Sequence, residues 1–217
     1  MRSLKVVIGK VPVLVDMTII IPIILFTILG FPHYYFIALF FSILHEFTHL
    51  GVARMLGYTP LHITLNMFGE VLALKEHEIW PEHQVLIHLS GPLFNLFTSF
   101  IFFLFFYEAA PFLIELIILI NLFLALFNLI PCYPLDGGKV VMVYLSYYFG
   151  EEIGEKITFI IGKIIAIFTF ALGIYLMQFQ LTNGLISALA IHIYLGIEGQ
   201  QKDKLFVKIQ NERKNYQ

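Results

Sequence analysis

Apolar residues dominate six stretches of the chain, near 13–30, 34–56, 85–107, 112–130, 157–178 and 181–198, and most charged residues fall between them. An α-helix needs about 20 apolar residues to cross a bilayer, so the pattern predicts six membrane-spanning helices. Residues 30–33, 108–111 and 179–180 form very short links, which make antiparallel helical hairpins of the spans they join. Residues 57–84 and 131–156 are longer. In the first of these, Leu61, Ile63, Leu65 and Met67 alternate with His62, Thr64, Asn66 and Phe68, and Gly69 precedes a second apolar run from 71 to 74. That period of two predicts a small β-hairpin at the membrane surface. The polar tail after Gly199 is expected to add one or two helical turns. The expected fold class is an all-α polytopic membrane protein of about six transmembrane helices with that hairpin. Residues 1–200 make a membrane domain and 201–217 a short cytosolic tail.

Composition strengthens this picture. Apolar side chains make up 59% of 217 residues, 23 of them Phe, and the mean hydropathy is +0.85, well above a soluble domain. The three short links contain no Lys or Arg. Arg2, Lys5, Lys10, Arg54, Lys75, Lys139, Lys156 and the basic tail fall on the other side, which places both termini in the cytosol. Lys163, at the start of the fifth span, is close enough to that face to snorkel. The first apolar run contains Pro22, lacks an A-x-A-like cleavage site and leads into a second run, so it reads as a retained span. A net charge of −2 excludes nucleic acid as a partner. The single cysteine, Cys132, forms no internal disulfide.

The second span carries His45-Glu46-Phe47-Thr48-His49. Imidazoles four residues apart lie on one helical face and can hold one zinc ion. Glu46 then stands beside the metal, placed to take a proton from an attacking water and deliver it to the leaving amine. Ionisable groups inside an apolar span are costly unless they serve as ligands or partners. A catalytic zinc takes three protein ligands. Of the three aspartates, Asp16 lies at the edge of the first span and Asp203 in the tail, which leaves Asp136. A straight helix entering the bilayer near Phe112 would carry Asp136 to a depth of about 36 Å, against about 22 Å for His49 counted from Tyr34. Pro131, Pro134, Gly137 and Gly138 break such a helix, so a re-entrant Asp-bearing segment is expected to fold back.

The HExxH on an early span, the Asn128-x-x-Pro131-x-x-x-Leu135-Asp136-Gly137-Gly138 run and Ser90-Gly91-Pro92-Leu93-Phe94-Asn95 together resemble the site-2 protease family of intramembrane zinc metalloproteases. The three motifs cover the chain from His45 to Gly138. The resemblance implies cleavage of a peptide bond in or near a transmembrane segment of a membrane-tethered protein, with zinc on His45, His49 and Asp136 and with Glu46 as acid/base. It also implies that Asn128 and Pro134, with Asn95, shape the substrate channel. Within the family the arrangement is most like the stage IV sporulation protease subgroup, which releases a membrane-held transcription factor precursor, although no CBS domain is expected here. A bacterial cell membrane and membrane regulatory proteins as partners follow from the same likeness. The oligomeric state is left open.

The remaining polar residues have structural readings. His33, His62, His77, His83, His88 and His192 have no partner at comparable ligand spacing, and Glu115 sits near the start of an apolar run. Asn95 and Asn121 are expected to bond between helices. The hairpin offers an exposed strand edge that would capture an unwound substrate through backbone hydrogen bonds. Two other functions compete: a polytopic zinc-binding transporter, and a catalytically silent membrane scaffold. A transporter has no use for the non-ligating Glu46, and a scaffold would tolerate loss of the metal.

Overall fold

A computed structural model describes residues 3–8, 11–16, 32–59, 62–66, 69–73, 79–108, 111–180 and 184–215, with Ile20, Ile24, Thr27, Ile28 and Gly30. The chain divides into two units, Met1–Leu129 and Ile130–Gln217.

The first unit contains strands β1 (Ser3–Ile8), β2 (Val11–Asp16), β3 (His62–Asn66) and β4 (Gly69–Ala73), and helices α1 (Pro32–Met55), α2 (Pro81–Phe106) and α3 (Pro111–Asn128). The strands form one sheet in the order β1-β2-β3-β4. β1 and β2 are antiparallel, from Ser3↔Asp16 to Ile8↔Val11. β2 runs parallel to β3, from Val13↔Ile63 to Val15↔Leu65. β3 and β4 are antiparallel, from His62↔Ala73 to Asn66↔Gly69.

Two of these strands correct the sequence expectation. Residues 13–16 open the run assigned to the first span, but they belong to β2. A hydropathy average cannot separate a valine-rich strand from the start of a helix. The local signals were there: β-branched runs on both sides of the dipeptide Gly9-Lys10, a glycine-first sequence of the kind that favours a hairpin turn. The rest of that predicted span lies outside the described residues apart from the five singled out above, and so do Lys75 and His77.

α1 ends where glycine permits it. The Gly57 N–H donates to the Arg54 carbonyl and the Tyr58 N–H to the Ala53 carbonyl, with Gly57 at φ +89°, the paired bonds of a Schellman cap. Tyr58 then packs against Ala53, Ile79 and Ile87, and its hydroxyl lies 2.9 Å from His83 Nδ1. α2 begins with Pro81 in its first turn after Trp80, and Glu82 lies in that turn, where a missing N–H costs nothing and the helix dipole favours an acid. α1 packs on α2, α2 on α3, and α1 also meets β4 and α3.

The second unit holds α4 (Asp136–Phe149), α5 (Glu151–Leu176) and α6 (Gly184–Asn215). α4 was not foreseen in the long link. Asp136 stands in its first turn, and Gly150, at φ +88°, separates it from α5. α5 therefore starts at Glu151, six residues before the predicted span. α6 runs to Asn215, well past the one or two turns expected of the tail. Residues 200–215 contain no Gly or Pro, and an existing helix extends without a new nucleation step. Lys163 does more than snorkel: its Nζ donates to Glu198 Oε1 at 2.5 Å and Gln201 Oε1 at 3.0 Å, joining α5 to α6.

Among the described residues, three helices are long and apolar enough to cross a bilayer: His33–Met55, Pro81–Phe106 and Glu151–Leu176. Phe112–Asn128 is a shorter apolar helix. Their outer faces are apolar, with Phe97 64%, Phe103 58%, Ile167 61% and Phe168 74% exposed. Such surface suits lipid rather than water, and the chain is a membrane protein.

Candidate metal centre

His45 and His49 are four residues apart on α1, and both are buried. Their ring centroids are 4.7 Å apart and the planes are nearly perpendicular, at 84°. The facing row on the antiparallel helix α2 is Ile87, Gly91 and Asn95, also spaced by four. His45 Nδ1 lies 2.5 Å from Asn95 Oδ1, and His49 Nδ1 lies 2.5 Å from the Ile87 carbonyl and 3.2 Å from Ser90 Oγ. Ser90 Oγ in turn donates to the Ile87 carbonyl at 2.7 Å. A carbonyl only accepts, so His49 carries its proton on Nδ1 and leaves Nε2 with a bare lone pair.

The opposite nitrogens meet at Gly91. A Cβ built there would lie 2.5 Å from His45 Nε2 and 2.5 Å from His49 Nε2. Glycine is thus required by space: any side chain would occupy the point on which both nitrogens converge. This is the fit a metal needs. Two imidazole nitrogens aim at one small volume, while the other ring nitrogens are tied back by buried acceptors, the outer-shell arrangement that orients histidine ligands. Glu46, half-buried, adjoins His45 on α1.

Asn95 is fully buried. Its Nδ2 donates to Asn121 Oδ1 at 2.8 Å, and Asn121 Nδ2 donates to the Ile117 carbonyl at 2.9 Å. Asn121 is on α3, so the polar line runs through three helices of the first unit. Sequence reasoning assigned Asn121 only to helix packing and missed the Ile87 carbonyl and the spatial role of Gly91. The recurrence of Ile87, Gly91 and Asn95 every four residues was the available signal. Asn128, at the end of α3, donates to the Leu124 carbonyl. His88 is buried, with its ring 6.4 Å from that of His49.

The other predicted residues belong to the second unit. Asp136 is 5% exposed at the start of α4, and Lys139 Nζ lies 3.5 Å from its Oδ1. The preceding turn is closed by the Leu135 N–H donating to the Cys132 carbonyl at 2.9 Å. The backbone of Cys132 and Tyr133 comes so close to Gly138 that no Cβ could be accommodated there. Pro134 packs against α6 at Gly196.

Residues 108–172 match the model of peptidase family M50. The chain carries a domain of that family, the site-2 proteases. A solved structure, the site-2 protease from Methanocaldococcus jannaschii, superimposes with a TM-score of 0.71 at 28% identity, over 91% of this chain and 94% of that one. A zinc metalloprotease of the same organism is 32% identical over 174 residues, 77% of this chain and 49% of that protein. Stage IV sporulation protein FB of Bacillus subtilis is 26% identical over 107 residues, 48% of this chain and 37% of that protein. The chain thus spans about half the length, or less, of these curated relatives.

Proposed function

We propose that the chain is an intramembrane zinc metalloprotease that hydrolyses a peptide bond in or near a transmembrane segment of a membrane-tethered protein. The observation that carries this reading is the convergence of His45 Nε2 and His49 Nε2 on Gly91. His45, His49 and Asp136 would hold the ion, two neutral imidazoles and a carboxylate being a common catalytic zinc set. When bound, zinc polarises a carbonyl and makes water a competent nucleophile near neutral pH.

The protein's own groups do the rest. Glu46 takes a proton from the attacking water and returns it to the leaving nitrogen. His49 is steadied by the Ile87 carbonyl and His45 by Asn95. Asn128 and Pro134 border the path of the substrate, whereas Asn95, buried against His45, acts on the ligand. A transmembrane helix hides its amides and must be unwound before hydrolysis, and the edge of β4, where the sheet ends among the described residues, would receive the extended segment.

The topology assigned to this enzyme is residues 1–200 in a bacterial cell membrane with both termini and the tail, 201–217, in the cytosol. The parallel pairing of β2 with β3 supports it, because the intervening chain leaves and re-enters one sheet and so crosses the membrane an even number of times. The biological outcome in this reading is release of a transcription factor precursor under the control of membrane regulatory proteins, as the resemblance to the sporulation subgroup implies; the chain's similarity to a stage IV sporulation protein agrees with that subgroup.

The test is Glu46→Gln in cells carrying membrane-tethered reporter substrates, with zinc content measured on the purified chains. The variant is expected to keep its zinc while cleavage falls by roughly 10²–10⁴-fold. Equal cleavage by both chains, or no zinc in the native one, overturns the proposal.

A further inference from the structure

His45 and His49 are held in different ways. His49 Nδ1 meets a backbone carbonyl, which has only one polarity. His45 Nδ1 meets the side-chain amide of Asn95, which can turn either way. Turned one way, the amide oxygen accepts from Nδ1–H and leaves Nε2 bare. Turned the other way, the amide donates, Nδ1 becomes the acceptor and the proton moves to Nε2, where it blocks a metal. Something must choose between these states.

The choice is made on α3. The Ile117 carbonyl can only accept, so Asn121 must present its NH2 group there and its oxygen to Asn95. Asn95 must then present its NH2 group to Asn121 and its oxygen to His45. The proton of His45 is thereby confined to Nδ1. Asn95 and Asn121 are 0% exposed and His45 is 4% exposed, so water is not at hand to satisfy a reversed chain.

We propose that Asn121 is a positioning residue that acts through Asn95 to hold His45 in the metal-binding tautomer. The proposal rests on the reading of His45 as a zinc ligand. The bland alternative is that the asparagine pair only fastens α2 to α3, as buried amides in membrane helices do. Fastening alone would affect stability and leave metal affinity untouched.

Zinc affinity of the full chain in detergent, measured by competition with a chromophoric chelator, separates these roles, with thermal unfolding of the metal-free chain as the check on folding. Asn95→Leu is expected to weaken zinc by roughly 10–100-fold and Asn121→Leu by about tenfold. The double variant is expected to be no weaker than Asn95→Leu, because Asn121 has no other route to the metal. In an Asn95→Asp background the group facing His45 accepts in either orientation, so adding Asn121→Leu is expected to cost no affinity. Asn121→Asp, kept neutral by burial, donates its acid O–H to the Ile117 carbonyl and presents its other oxygen to Asn95, so it is expected to bind zinc as the native chain does, which keeps the test open if the leucine variant fails to fold. Native affinity in Asn121→Leu, additive losses in the double variant, or loss of affinity in Asn121→Asp overturns the relay. Absence of zinc from the native chain overturns the reading of the metal centre itself.

Discussion

Replacing Gly91 by alanine places one methyl group where two ring nitrogens converge. The new Cβ would lie 2.5 Å from each Nε2 and 2.6 Å from His49 Cε1, against ordinary contact from 3.4 Å. Each ring must therefore give by about 0.9 Å, and neither can retreat without stretching its bond to Asn95 or to the Ile87 carbonyl. Overpacking of this kind costs about 1–3 kcal/mol. If the rings relieve it by swinging apart in the metal-free chain, the cost falls on metal binding, which should weaken by roughly 5- to 140-fold at 1.4 kcal/mol per decade. Gly51→Ala is the control. It lies on α1, two residues from His49, and its Cβ would meet nothing within 4 Å, so there the usual gain of about 0.4–1 kcal/mol from restricting the unfolded chain is expected. Chelator competition and thermal unfolding of both variants give the answer. Native zinc affinity in Gly91→Ala would refute the claim that glycine keeps this space for the converging nitrogens.

Two other expectations follow from other features. Cys132 is fully buried, and burial pushes its thiol from 9.0 up to about 11, so iodoacetamide at pH 8 should leave the folded chain unlabelled. A pKa raised by folding means that this stabilisation is complete below about pH 9 and is lost as pH climbs through about 11. Relative to Cys132→Ala, the native chain should lose on the order of 2–3 kcal/mol across that window; prompt labelling at pH 8 would contradict the burial. The second concerns β4. Asn66 and Gly69 flank a two-residue loop, which makes them a hydrogen-bonded pair and turns the N–H of Leu72, three positions on, away from β3. Leu72→Pro should then preserve the hairpin and zinc content yet lower reporter cleavage by about tenfold or less, the worth of one backbone bond, and unchanged cleavage would exclude strand capture at this edge.

What could be read directly from the chain was local. The i, i+4 spacing of His45 and His49 follows from helical geometry once the helix is granted, and the extents of α1 and α2 follow from apolar runs closed by Gly57 and opened by Pro81. The alternation that covers His62–Asn66 marked extended structure for the same reason. Errors arose where one property averages over two outcomes. Valines 13 and 15 are as apolar in β2 as in a span, and the residues after Asp136, set down as a link, propagate as α4.

Consecutive residues alone mark a membrane protein with an HExxH pair on an early helix, because hydropathy and helical period are local properties of the chain. It took the packed helices to reveal that Gly91 is the meeting point of two imidazoles, that the Ile87 carbonyl holds one ring and Asn95 the other, and that Asn121 stands behind Asn95. These depend on which residues of three separate helices come to face one another. That pairing is set by close packing between elements, where a hydrogen bond forms or fails over less than 1 Å.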